Sequence, residues 1–230
     1  GEGLECNLKV FGNLHAGNDN VGIDATEENE PGNQMAGFDL RWNSPLGDLP
    51  YAIYGQYIGE DESSYLPAKY LAQLGSEAWF SLDSGARMLG FAEYSSTTCS
   101  ANTGRGPYYD CAYTQGRFDI EGYRYRGRVV GHTTDADAET YSVGISFTTP
   151  RGDLWSATVR NANLNRDGFD ARNTVAPSPT RYRGLELTWR GIWWDSRVSV
   201  DVGVDAVEPR GGARQVDAYG FLGWTHEFSP

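Results

Sequence analysis

The sequence predicts an all-β fold, an antiparallel transmembrane β-barrel, on three observations. Apolar and polar residues alternate with period two in segment after segment, turn signals alternate between long and short, and tryptophans gather near the short ones. About ten strands are expected across the chain, by the roughly ten-residue length of a barrel strand.

The alternation is cleanest from Arg197 to Ala206. There Val198, Val200, Val202 and Val204 share one face, and Arg197, Ser199, Asp201, Gly203 and Asp205 share the other. Tyr141, Val143, Ile145 and Phe147 alternate with Ser142, Gly144, Ser146 and Thr148. Phe38, Leu40 and Trp42 alternate with Gly37, Asp39 and Arg41, and Leu185, Leu187 and Trp189 with Gly184, Glu186 and Thr188. A soluble β-sandwich alternates too. What favours the barrel is the other face, where charged residues and small Gly and Ser suit a wet lumen.

Short turns are expected at Ser44 to Leu49, Asp83 to Gly85, Pro150 to Asp153 and Gly191 to Asp195, all rich in Pro, Gly or Asp. Long loops are expected at His15 to Gln34, Asp61 to Lys69, Ser96 to about Ala138, Ala162 to Arg181 and Val207 to Arg214. The two kinds alternate strictly, as they do in bacterial barrels with short periplasmic turns and long outer loops. Trp42, Trp79, Trp155, Trp189, Trp193, Trp194 and Trp224 lie within roughly six residues of a short turn or the last residue, where an interfacial aromatic girdle belongs. Phe228 suits a closing aromatic.

The chain has 230 residues and a net charge of -12. That acidity argues against a nucleic-acid partner, which needs clustered Lys and Arg. No apolar run reaches the ~18 residues of a membrane helix, which leaves barrel strands untouched. The chain opens at Gly1-Glu2 without Met or a basic-then-apolar leader, so a missing beginning is expected. Lys9 and Lys69 are the only lysines; the remaining cations are arginines, whose planar fork pairs well with carboxylates and sugar hydroxyls. A GC-rich genome explains the same bias.

The longest loop, about 96–138, carries most of the candidate chemistry. A single extra wall strand inside it would break the up-down parity, so Gly122 to Gly131 reads as an extended segment folded over or into the lumen. A loop of that length is usually functional. Within it, Tyr123, Arg124, Tyr125, Arg126, Arg128 and His132 interleave rings with guanidinium groups. Rings stack on sugar C–H faces and Arg forks satisfy hydroxyls and uronic carboxylates, so these residues are the candidate polysaccharide site. They also fit a plug in which the arginines merely neutralise carboxylates such as Glu60, Asp61 and Glu62. Asp135, Asp137 and Glu139 are spaced D-x-D-x-E, which reads as a solvated rim; the Gly and distant Glu of a calcium loop are absent. Cys99 and Cys111 are expected to form a disulfide in the oxidising periplasm, leaving Cys6 over. His15, His132 and His226 lack metal-ligand spacing, and no nucleophile elbow, phosphate loop or dinucleotide fingerprint occurs. No cofactor, metal or catalytic residue is expected.

Several stretches resemble the Wzi family of capsule-assembly outer-membrane proteins. They are Glu30-Pro31-Gly32-Asn33-Gln34 with Ala36 to Asp39, Tyr54 to Glu62, Phe91 to Tyr94, and Gly122 to His132 followed by Thr133 to Ala138. The similarity runs from about residue 20 to the end. It implies a barrel of about eighteen strands that holds capsular polysaccharide at the cell surface as a lectin and not an enzyme. The 230 residues would then be one barrel domain or the C-terminal fragment of one, and the absent part would account for unpaired Cys6. Ten strands alone would otherwise leave two open edges or close into a small barrel. Expected partners are capsular polysaccharide and outer-membrane lipid, with a monomeric barrel. The alternative is a porin whose long loop constricts the pore. A third class, an outer-membrane hydrolase, lacks any activated nucleophile in the sequence.

Overall fold

The computed structural model describes residues 35–46, 50–63, 66–101, 106–109, 111–113, 123–168 and 173–226, without the side chains of 60–63, 66–68 and 101. Cys6, His15, Glu30 to Gln34, Gly122 and Phe228 lie outside the described residues, as do the side chains of Glu60, Asp61 and Glu62.

Nine strands form one antiparallel sheet: β1 (Ala36–Asn43), β2 (Tyr51–Ser63), β3 (Leu66–Ser81), β4 (Arg87–Ala101), β7 (Glu139–Thr148), β8 (Leu154–Leu164), β9 (Thr180–Trp193), β10 (Ser196–Pro209) and β11 (Gln215–His226). Between β4 and β7 a small hairpin, β5 (Arg124–Tyr125) and β6 (Arg128–Val129), makes a sheet of its own. Each wall strand pairs with the next wall strand in the chain, and among the described residues β1 and β11 are open edges. The described part of the 122–131 segment, from Tyr123 on, is therefore no wall strand, and up-down parity survives the long insertion.

The register turns the alternating pattern into two continuous faces. One row runs Ser76, Ala92, Val143, Val159, Leu185, Val204, Ala218; the next runs Ala78, Gly90, Ile145, Ala157, Leu187, Val202, Gly220. Most of these side chains are exposed, Val143 at 59% and Leu187 at 46%, while Ala78 and Ala157 are half-buried. A row of Phe80, Met88, Phe147, Trp155, Trp189, Val200 and Leu222 closes this apolar face toward the short turns. Toward the other end Tyr94 meets Tyr141 at 5.0 Å between ring centroids, and Tyr57 stacks on Phe38 and Tyr70 at 5.4 and 4.7 Å. From Tyr141 to Phe147 the strand rises roughly 20 Å, comparable to the ~25 Å apolar band of a barrel between its aromatic girdles.

The opposite face is polar and internally bonded. Tyr54 donates to Glu93 at 3.0 Å, Tyr182 to Asp205 at 2.7 Å, Thr188 to Asp201 at 2.6 Å and Tyr219 to Glu186 at 3.2 Å, while Arg41 pairs with Glu77. The glycines of this face leave room for rings from the next strand: Tyr54 covers Gly75, Phe91 covers Gly144 and Tyr219 covers Gly203.

Two expectations are corrected. Two of the expected long loops are short: in place of Asp61 to Lys69, β2 runs to Ser63 and β3 begins at Leu66, and in place of Val207 to Arg214, β10 runs to Pro209 and β11 begins at Gln215. At 13 and 16 residues, β2 and β3 exceed the ~10 needed to cross a bilayer. They continue as paired ribbon, with register shifts between Gly59 and Glu62. Trp79 pairs with Leu89 in the register and shares the face of Glu77, so Phe80 takes its place in the girdle row. Nearness to a turn does not fix which way a strand residue points; parity does.

Candidate functional site

The described part of the insertion between β4 and β7 lies on the polar face. Cys99 and Cys111 are joined by a disulfide, Cα–Cα 6.0 Å, and Cys99 bridges Tyr108 through backbone hydrogen bonds of 3.2 and 2.7 Å. Around this bond Ala112, Tyr113 and Ala136 pack on Leu71, with Ile58, Tyr123 and Val129 at the margin. Leu71 and Ile58 are opposite one another on β3 and β2, so the wall itself supplies the floor.

Above that floor sits a knot of buried polar groups centred on Asp135. Arg124 grips its carboxylate with two hydrogen bonds, Nη1 to Oδ2 at 3.0 Å and Nη2 to Oδ1 at 2.7 Å, with side-chain exposures of 1% and 0%. The amide and hydroxyl of Thr174 donate to the same carboxylate, at 3.1 and 3.3 Å, as does the amide of Ala136 at 2.8 Å. Burial by itself would raise the Asp135 pKa; the Arg124 bonds and the two amides outweigh it and hold the carboxyl below its ordinary value. Thr97 of β4 donates to the Asp135 carbonyl at 2.7 Å, and Asn173 donates to the Ala136 carbonyl at 3.1 Å. The loop before β7 is thus fastened to both β4 and the β8–β9 loop.

What the knot presents is the tip of the β5–β6 hairpin. Arg126 (φ 52°) and Gly127 (φ 75°) form its two-residue turn, the geometry that suits a tight hairpin. Positive φ is unusual for arginine, and here it lifts the guanidinium to the tip, 5.3 Å from the Tyr125 ring centroid. Tyr125, Arg126 and Arg128 are all exposed.

Beneath the hairpin lies a cleft of about 450 Å³ whose lining is largely apolar, Ile58, Leu71 and Val130 among it, with Gln56, Gln73, Ser95 and His132 as its polar groups and Tyr113 and Tyr123 as its rings. His132 is fixed there: Nε2 is 2.9 Å from Ser95 Oγ, Nδ1 is 2.7 Å from Thr134 Oγ1, and its amide donates to Tyr113 Oη at 3.1 Å. Burial lowers its pKa against the opposing pull of Glu93, so the ring is neutral at pH 7. Tyr123 Oη accepts from the Met35 amide at 3.0 Å. A largely apolar concave surface with rings and a few placed amides and hydroxyls can cover the C–H face of a sugar and hydrogen-bond its hydroxyls.

The predicted site residues therefore divide. Tyr125, Arg126 and Arg128 are at the exposed tip, and Tyr123 and His132 line the cleft below. Arg124 is corrected: it cannot reach a ligand, because its fork is spent on Asp135 in the interior. Asp135 and Asp137 are corrected as well, since both are fully buried and neither is a solvated rim. Arg124 does neutralise a carboxylate, that of Asp135; the side chains of Glu60, Asp61 and Glu62 lie outside the described residues. Gln56, Gln73, Ser95 and Tyr113 went unnoticed in the sequence, because they come together only through strand pairing and the disulfide loop. Asn173-Thr174 carried a readable sign: the Asn173 side chain accepts from the amides of Val175 and Ala176 at 3.0 and 2.9 Å, a turn habit of Asn. Among the described residues no group of three His, Cys, Asp or Glu side chains is placed to hold a metal ion.

Comparison with known proteins places this geometry in a family. An uncharacterized 55.8 kDa protein in the cps region of Klebsiella pneumoniae is 30% identical over 197 residues, covering 85% of this chain and 37% of that protein. The solved structure described as Wzi, an outer-membrane protein involved in group 1 capsule assembly in Escherichia coli and a carbohydrate-binding β-barrel, superposes with a TM-score of 0.71. Its identity is 24%, over 86% of this chain and 43% of that one. The nine-stranded sheet is thus barrel wall, and the chain spans less than half the length of these relatives. The model of the capsule assembly protein Wzi family matches residues 1–211, and the chain belongs to that family.

Proposed function

We propose that this chain forms part of the wall and outer loops of an outer-membrane barrel that attaches capsular or exopolysaccharide to the cell surface, without catalysis. The observation that carries the reading is the Tyr125-Arg126-Arg128 tip, held out by a buried ion pair above a largely apolar cleft that holds two tyrosine rings and a few amides and hydroxyls. Rings that cover sugar faces and forks that bridge hydroxyls or carboxylates match a glycan better than a lipid or a peptide. The relatives support it: one is a protein of the cps region and another is described as a carbohydrate-binding barrel involved in capsule assembly. The partners are polysaccharide and outer-membrane lipid, the barrel is monomeric, and residues 1–230 belong to one barrel domain whose loop at about 96–138 faces outward. Loop packing on Leu71 and Ile58 supports an obstructed lumen, so planar-bilayer recording of the full-length protein should show little conductance.

The test is a triple variant, Y125A/R126A/R128A, in the full-length protein. Loss of cell-bound polysaccharide with an unchanged heat-modifiable, detergent-resistant barrel is expected. Full retention of capsule by a well-folded variant would remove the hairpin from the function.

A further inference from the structure

A second cleft lies at the outer ends of β8, β9 and β10, away from the hairpin. It encloses about 410 Å³ and is lined by Tyr109, Asn163, Arg166, Arg181, Glu208 and Arg210 among others. Four separate segments build it. The Arg210 amide donates to the Pro179 carbonyl at 2.7 Å, tying the β10–β11 turn to the loop entering β9, and Gly212 closes that turn on Pro209 at 3.0 Å. Tyr109 arrives from the disulfide loop.

Its charge is out of keeping with the chain. The protein carries -12 overall, yet three arginines and one glutamate line this cleft, a local balance of 3 - 1 = +2. Arg166 is bonded to Glu139 at 2.7 Å. Arg181 and Arg210 are exposed and have no ion-pair partner among the described residues, although Glu208 stands opposite Arg181 in the strand register. Two uncommitted guanidinium groups at the mouth of a polar cleft, with an amide side chain and an aromatic ring beside them, form a receptor for a carboxylate on a ring-shaped polar ligand. On the reading of this chain as a glycan-binding barrel, we infer that this cleft is a separate subsite for a carboxylate-bearing sugar residue. Arg181 and Arg210 engage the carboxylate, and Asn163 and Tyr109 meet the ring. The hairpin tip and the cleft then hold one polymer at two points, which multiplies weak contacts by raising effective concentration.

The experiment uses full-length protein in detergent, with oligogalacturonate as probe and the same oligosaccharide with its carboxyls reduced to alcohols as control. Wild-type protein is expected to prefer the acidic form, with affinity falling as salt rises. The R181A/R210A variant should lose roughly tenfold or more for the acidic form, the scale of losing charge-assisted hydrogen bonds, and nothing for the reduced form. R151A, in the turn at the opposite end of the sheet, removes an equal charge and should leave binding unchanged. Equal affinity of wild type for both probes, an unaffected R181A/R210A variant, or an equal loss in R151A each overturns the inference. Cells that retain their own polysaccharide through the hairpin while showing any of these results would leave the proposed function standing. Full retention of polysaccharide by the well-folded Y125A/R126A/R128A variant would instead remove the hairpin from that function.

Discussion

Arg124 and Asp135, eleven residues apart, close on each other inside the outer loop through two hydrogen bonds of 3.0 and 2.7 Å. Hardly any water reaches either side chain. The pair is the fastening of the hairpin, and it converts a residue with the look of a ligand contact into a positioning residue.

Substitution R124M leaves the Asp135 carboxylate buried without its cation, and a lone buried charge of this kind costs about 3–5 kcal/mol. The outer loop should lose protection from amide hydrogen exchange while β7 to β10 keep theirs. R124M/D135N should cost less than the sum of the two single changes, the sign of direct coupling. Additive losses would show that the two residues act separately.

Reduction of the Cys99–Cys111 bond, or its removal in C99S/C111S, frees a loop with a sequence separation of 12. By the chain-entropy account that costs about 3 kcal/mol. Tyr113 rests in the cluster this bond anchors and supports His132, so faster proteolysis between residues 99 and 138 is expected, with no change in barrel melting.

Acid should loosen the loop in two steps. His132 in the folded loop has a pKa below the ordinary 6.5. Well above pH 6.5 both folded and unfolded forms are neutral and the group contributes nothing. As pH falls below 6.5 the unfolded loop takes up the proton first, so loop stability declines until the folded ring itself titrates. Asp135 is held below the ordinary 3.8; its contribution is complete above that value and is lost as pH falls below it. Hydrogen exchange of loop amides from pH 7.5 to 4.5 should track the first step, and H132Q should abolish it. A loop equally protected across that range would contradict this assignment.

Leu187 lies mid-strand on the apolar face, among Ala157 and Val202. L187R should cost about 2–4 kcal/mol when the full-length protein folds into lipid vesicles, as a cation near the bilayer midplane does on a barrel. S142R, on the half-buried polar face opposite Glu93, should cost far less. Equal penalties would mean the two faces are not lipid and lumen.

The sequence alone determined the wall. Val198 to Val204 and Tyr141 to Phe147 declare which residues share a face, because side chains on an extended backbone alternate whatever surrounds them. Turn residues likewise punctuate the chain locally, which is why the parity of the strands was legible through the long insertion. The extent of β2 and β3 was not, since the paired ribbon beyond Gly59 depends on a partner strand. Trp79 shows the limit even within a strand: proximity to a turn says nothing about phase. The site belonged almost wholly to tertiary structure. Tyr123 to Arg128 alternate rings and cations, yet nothing local distinguishes Arg124, buried on Asp135, from Arg126 and Arg128, left to solvent. Gln56, Ser95 and His132 share a cleft only because β2, β4 and the disulfide loop converge there. Strand alternation is a property of neighbours along the chain, whereas the fate of a charge is settled by whichever distant groups displace its water.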